Sequence, residues 1–145
     1  GNQYGVLVET GDGILAIAAD TVIENATGGM LADTIIGNSA ANVLSGGADL
    51  VVDTMTGGGA ADTFMVYLTD QQNVADIITD FAVGVDVLNV HGSEANITLT
   101  AADSYGNAII TASNGGDITM ALASLTGVSA ADLTSDDLVY TVAVA

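Results

Sequence analysis

Residues 28–65 read GGMLADTII, GNSAANVLS, GGADLVVDTMT and GGGAADTFM, four units that open on Gly28, Gly37, Gly46 and Gly57. The spacings are nine, nine and eleven residues. Asp33, Asn42, Asp53 and Asp62 recur within the units, and each is followed two residues on by an apolar side chain: Ile35, Leu44, Met55 and Phe64. A repeat of nine with paired Gly, an oxygen-bearing residue and then a buried apolar one is the pattern of a parallel β-roll.

Each unit supplies a Gly-rich turn and a short strand, and two units complete one coil. The apolar residues point inward and stack from coil to coil, while the acids stay at the turns. Stacking pairs Asp33 with Asp53 and Asn42 with Asp62. Neighbouring coils lie at strand spacing, about 4.8 Å. Two carboxylates at that separation repel by ~3 kcal/mol at an effective dielectric of ~20. A hard divalent cation reverses the sign, and Ca²⁺ accepts carboxylate and backbone carbonyl oxygens in irregular arrays. The candidate metal ligands are therefore Asp33, Asn42, Asp49, Asp53 and Asp62. The repeat departs from G-G-x-G-x-D: its third Gly is replaced by Leu31, Ala40 and Ala60, and the third unit carries two extra residues with Asp49 early and Asp53 late. Turns that keep the shape without the metal are the alternative.

Composition narrows the rest. The 145 residues carry 18 acids, 15 of them Asp, no Lys or Arg, and a formal charge of −18. Nothing can neutralise phosphate, which excludes electrostatic nucleic-acid binding. The same lack excludes polybasic docking on anionic membranes. Arg clamps and Lys nucleophiles are impossible, and with no Cys there is no disulfide or thiolate chemistry. High apolar content, 50% of the chain, argues against disorder. Carboxylate-free windows are too short and too polar for a membrane span.

Short runs rich in β-branched residues mark strands along the whole chain: Val6–Val8, Thr34–Ile36, Val51–Val52, Phe64–Tyr67, Val85–Val90, Ile97–Thr100, Ala108–Thr111, Ile118–Leu122 and Leu138–Val144. Ser129–Asp136 reads as a turn or one short helical turn, and Asp136–Asp137 as a solvated turn. The expected fold is all-β: a single domain over residues 1–145, with an N-terminal strand region over 1–19, a short degenerate parallel β-roll over 20–67, and capping strands over 68–145 that form a β-sandwich-like C-terminal part.

His91, the one His, has no partners in sequence that would make a metal site or a catalytic dyad, and reads as a strand-end residue. No Ser/His/Asp arrangement is present, and there are too few aromatic residues to line a sugar cleft. The chain reads as non-enzymatic.

Ile23 to Gly47, IENATGGMLADTIIGNSAANVLSGG, resembles the opening of the RTX-type β-roll in secreted bacterial proteins, including the C-terminal domain of serralysin-like proteases. A closing phrase of the same family is similar to Asp76-Ile77-Ile78-Thr79-Asp80-Phe81 followed by Gly84, Asp86 and Leu88. The resemblance implies export from the cell, folding outside it where calcium is abundant, and repeat aspartates at Asp33, Asp53 and Asp62, with Asn42 as a weaker counterpart. Asp80 and Asp86 map onto acidic positions of the closing phrase. The zinc motif of the proteases, H-E-x-x-H, does not occur in this sequence.

Two functional expectations follow. The first is a secreted, extracellular or cell-surface structural protein, stabilised by calcium and self-assembling as a homo-oligomer or homopolymer (a filament, sheath or surface layer) through terminal strands or roll ends. The second is a calcium-dependent secretion and folding module of a larger toxin, adhesin or protease.

Overall fold

A computed structural model describes residues 24–68, 74–115 and 119–142 in full, and the backbone alone of residues 7–10 and 13–16. Among these residues the chain is all-β. Its strands are β1 (Leu7–Thr10), β2 (Gly13–Ala16), β3 (Asn25–Thr27), β4 (Thr34–Ile36), β5 (Val43–Ser45), β6 (Thr54–Thr56), β7 (Thr63–Tyr67), β8 (Asp76–Ile78), β9 (Val87–Gly92), β10 (Thr98–Ser104), β11 (Asn107–Ser113), β12 (Thr119–Leu125) and β13 (Leu138–Val142). A single 3-10 turn covers Ala130–Asp132, inside the segment expected to turn.

From β3 to β9 successive strands alternate between two sheets. One sheet has the order β13-β9-β7-β5-β3; the other runs β10-β11-β12-β8-β6-β4-β1-β2. The coil register is parallel, with Thr34 opposite Thr54 and Val43 opposite Thr63. Strands of three residues suffice because each is laid on the rung before it. Thr54 N–H, for instance, donates to Asp33 O at 2.9 Å, and Thr63 N–H to Asn42 O at 2.8 Å.

The inward positions are those marked by the repeat. Ile35, Leu44, Met55 and Phe64 are wholly buried, and Ile78 and Leu88 continue the same column. Burying a side chain of this size stabilises the fold by about 2 kcal/mol. Phe64 also meets Phe81, with ring centroids 6.1 Å apart. Phe81 lies on the turn between β8 and β9 and plugs the core at that level.

Parallel pairing continues past Tyr67, since β8 adds to β6 and β9 to β7. The two sheets then finish differently. β12 joins β8 in parallel, and β11 and β10 follow by antiparallel pairing. β13 returns to β9 in parallel, with Leu138 opposite Leu88. At the other end β4 is flanked by β1, which runs antiparallel to it and forms a hairpin with β2.

One strand expectation fails. Val51–Val52 belongs to the turn before β6, and Val52 is exposed. The third unit is two residues longer, so its acid and its strand both move on, to Asp53 and Thr54–Thr56.

Ala60 adopts φ +66°, the left-handed region, at the position where the consensus places Gly. That conformation costs an L-residue about 1–2 kcal/mol, partly offset by the greater unfolded-state freedom that Gly would bring. Ala60→Gly is expected to raise stability by about 0.5–1 kcal/mol and the melting temperature by about 2–4 °C. A lower melting temperature in that variant would show that the turn does not hold Ala60 as described.

Candidate metal centre

The coil has two edges. Turns 28–33 and 46–53, together with Asp76 at the start of β8, make the first edge; turns 37–42, 57–62 and 79–86 make the second. The last residue of each turn is an acid or Asn, placed there because the strand that follows needs its backbone N–H tied to the rung below. Asp33 N–H donates to Asp53 Oδ1 at 2.8 Å, and Asp53 N–H to Asp76 Oδ1 at 3.0 Å. On the second edge Asn42 N–H donates to Asp62 Oδ1 and Asp62 N–H to Asp86 Oδ1, both at 2.8 Å. Each edge therefore carries a ladder of carboxylates running coil to coil. The pairs Asp33–Asp53 and Asn42–Asp62 are the stacked pairs that the repeat implied.

The sequence-derived ligands thus divide. Asp33, Asp49 and Asp53 lie on the first edge, and Asn42 and Asp62 on the second. Asp33, Asn42, Asp53 and Asp62 are at most 2% exposed, as deep as the apolar core. Among the described residues no three Asp, Glu or His side chains gather round one point, so any ion would take part of its shell from backbone oxygens.

The first edge offers such oxygens. Gly29 N–H donates to Asp33 Oδ2, while Asp33 Oδ1, also buried, has no hydrogen-bond partner among the described residues. A Cβ on Gly28 would collide with Asp33 Oδ2 and with Gly46 O, and one on Gly47 would stand 2.6 Å from Gly29 O. Gly47 also has φ +128°, open to Gly but strained for other residues. Only a bare turn lets carbonyl and carboxylate oxygens crowd together in this way. Carboxylates and carbonyls are the donor set that Ca²⁺ takes. A lone buried carboxylate oxygen costs free energy unless something positive meets it.

Asp53, Asp62 and Asp76 are poor acids. Burial, together with the charges of Asp49 and Asp33, raises Asp53 to about 6 against the hydrogen bond from Asp33 N–H. Burial, with Asp86 and Asp80 nearby, raises Asp62 to about 6. Burial next to Asp53 and Asp49 raises Asp76 to about 7. Between the unfolded value of 3.8 and these values the folded chain holds more protons than the unfolded one. Metal-free stability should therefore be highest near pH 4–5 and fall as pH rises to about 7. Chemical denaturation in chelator across this range checks the sign; stability that rises towards neutrality would contradict it.

Asp137 corrects the reading of Asp136–Asp137 as a solvated turn. Asp136 is exposed, but Asp137 is only 1% exposed. Its Oδ1 accepts Gly84 N–H at 2.7 Å, and its Oδ2 accepts Thr134 N–H and Oγ1 at 2.7 and 2.8 Å. Burial raises its pKa, but these hydrogen bonds outweigh burial and leave it below the usual carboxylate value. Asp137 thus ties β13 to the turn before β9. The repeat could not reveal it, because the segment that carries it lies far outside the period. Asp76 was legible as part of the closing phrase, though not as the third member of the first-edge ladder.

His91 lies in β9, beside Tyr67 with ring centroids 5.8 Å apart, and away from both ladders. An open groove of about 570 Å³ runs between β10 and β13, lined by Ile97, Leu99, Leu133 and Tyr140 among others, with no carboxylate or imidazole in its lining. It is separate from the acidic turns. Among the described residues no helix is long and apolar enough to cross a membrane.

A parallel coil with Gly-rich turns and an acid or Asn at the foot of each coil strand defines the class: a β-roll of repeat acids. Residues 8–142 match the family described as the C-terminal part of the M10 peptidase serralysin, and the chain belongs to that family. The family is the non-catalytic part of a peptidase and belongs to secreted proteins. No curated protein gives a match. Membership favours the module over the self-assembling subunit among the two functional expectations.

Proposed function

We propose that this chain is a calcium-dependent folding module of a larger secreted protein, non-catalytic in itself. Asp33, Asp49 and Asp53, with the carbonyls of Gly29 and Gly46, are the leading ligands, and Asn42 and Asp62 are the second set. The observation that carries this reading is Asp33: a buried carboxylate with an oxygen that has no partner among the described residues, under a glycine turn, in a chain with no Lys or Arg to neutralise it. Bound calcium supplies the missing positive charge and ties adjacent coils together. Where calcium is scarce, like charges on the ladders oppose coil formation and leave the folded state less stable, which favours export. Outside the cell the ion completes the turns and the coil folds. The test is thermal melting followed by circular dichroism in calcium, in magnesium and in chelator. Melting at one temperature in all three overturns this reading.

A further inference from the structure

The two sheets end unevenly. Past β8 the eight-stranded sheet runs on through β12, β11 and β10, whereas past β9 the five-stranded sheet stops at β13. Both β10 and β13 are edge strands: among the described residues β10 pairs with β11 alone and β13 with β9 alone. The groove of about 570 Å³ lies between these two edges. Leu138 and Tyr140 stand beside the inward-facing Leu88 and Val90, so they face the opposite sheet, where Ile97, Leu99 and Ala101 line the other wall. All five are partly buried and pack on the core, which makes the groove an opened part of the interior.

The edge of β13 sets the shape of an occupant. Leu88 N–H donates to Asp137 O at 2.8 Å. Alternate residues of a strand in a parallel ladder bond the same neighbour. Asp137, Val139 and Thr141 therefore turn their backbone groups to β9, and Leu138, Tyr140 and Val142 turn theirs to the open side. Such an edge is a template for another strand. Side chains of an added strand alternate between the two faces of the sheet, so every second one enters the groove. Charge then sets the chemistry. The lining holds no carboxylate, although the chain carries 18 acids. Acids stand round it instead. Asp132 and Asp136 are exposed beside Leu133 and Ser135 of the lining, and Asp103 is exposed while its Oδ1 accepts Ala130 N–H at 2.7 Å. Glu94 is held at the rim, where its carbonyl accepts the Tyr140 hydroxyl at 2.8 Å. Apolar side chains suit the inward positions of an added strand, and Lys or Arg suit the outward ones. This chain cannot supply that strand: it has no Lys or Arg, and its charge of −18 repels a second copy.

We infer that the groove between β10 and β13 docks an extended, cationic segment of another protein, added as a strand on the open edge of β13. Its inward apolar side chains lie against Ile97, Leu99 and Ala101, and its Lys and Arg side chains face Glu94, Asp132 and Asp136. Main-chain hydrogen bonds to β13 give affinity, and the apolar groove fixes register, as where other exposed sheet edges take peptides. The groove stands apart from the acidic turns, so this assignment does not rest on the calcium reading.

The probe is a short peptide of alternating Val and Lys, capped at both ends, titrated into the whole chain in calcium and followed by amide NMR. Saturable shifts confined to residues 97–101 and 130–142 are expected. Two control peptides separate strand docking from bare charge attraction. One has the same composition with its Val residues grouped at one end; the other has Glu in place of Lys. Each should bind at least about tenfold more weakly. No shifts, shifts spread over the acidic turns of 28–62, or equal affinity for either control overturns the assignment. Shifts at 138–142 that grow with protein concentration in the absence of peptide make the occupant a second copy and overturn it too. Ala101→Phe fills the groove and is expected to weaken binding by about tenfold at an unchanged melting temperature. A folded Ala101→Phe that binds as the parent does overturns the assignment; where that variant does not fold, the peptide comparison on the unmodified chain decides.

Discussion

Moved from calcium into chelator at neutral pH, the protein is expected to melt at least about 10 °C lower. A single site held at about a hundred times its dissociation constant stabilises the folded state by ~2.7 kcal/mol. For a domain of this size each kcal/mol shifts the midpoint by about 4 °C. Total stabilities are only about 5–15 kcal/mol, so the ion carries a large share. The sign follows from the acids themselves. At pH 7 Asp53 and Asp62 lie above their raised values and are mostly ionised, so without metal the ladders hold charge in places that burial disfavours. Magnesium should restore little of the loss. It demands near-octahedral geometry and gives up its water reluctantly, whereas the first edge offers carboxylates and fixed carbonyls. In acid the gap between calcium and chelator should close, because protonated carboxyls neither repel nor bind the ion. A gap of the same size near pH 4.5 and near pH 7.5 would count against carboxylate ligands.

Asp53→Asn should act in opposite directions with and without the ion. In chelator at neutral pH it is expected to raise stability by on the order of 1–2 kcal/mol, because a buried charge is replaced by a neutral group of the same shape. The hydrogen bond to Asp33 N–H survives, since the amide oxygen accepts as the carboxylate oxygen did. Asn already stands at the equivalent rung of the other edge, at Asn42, where its Oδ1 accepts Asn38 N–H within its own turn. In calcium the same variant should lose most of the gain shown by the parent. Asp53→Ala separates charge from hydrogen bond. It leaves the buried Asp33 N–H without an acceptor, at a cost of about 1–3 kcal/mol. Asp53→Ala should therefore fall below Asp53→Asn in chelator. Denaturant titrations of the three proteins, with and without calcium, measure both effects. An Asp53→Asn variant weaker than the parent in chelator would show that the charge is not the burden assigned to it.

The repeat makes much of this legible in the sequence. It marked Ile35, Leu44, Met55 and Phe64 as inward, and it paired Asp33 with Asp53 and Asn42 with Asp62, because one period fixes both which side chains stack and which end up at turns. What it could not show were features that break the period. Val51–Val52 looks like a strand by composition, yet two inserted residues push the strand to Thr54–Thr56, since registry with Thr34–Ile36 outweighs local β-propensity. Asp137 looks like any exposed acid until β13 is laid on β9 from far along the chain.

The β1–β2 hairpin has an evolutionary corollary. Because β4 is bordered by an antiparallel strand, no further parallel rung can be appended to its sheet at that end. Duplicated nonapeptides could enter only as insertions between existing rungs, and each would have to come in pairs to return the chain to the same sheet. Lineages that lengthen this domain should do so from the middle, in steps of one whole coil, while both extremities stay as they are.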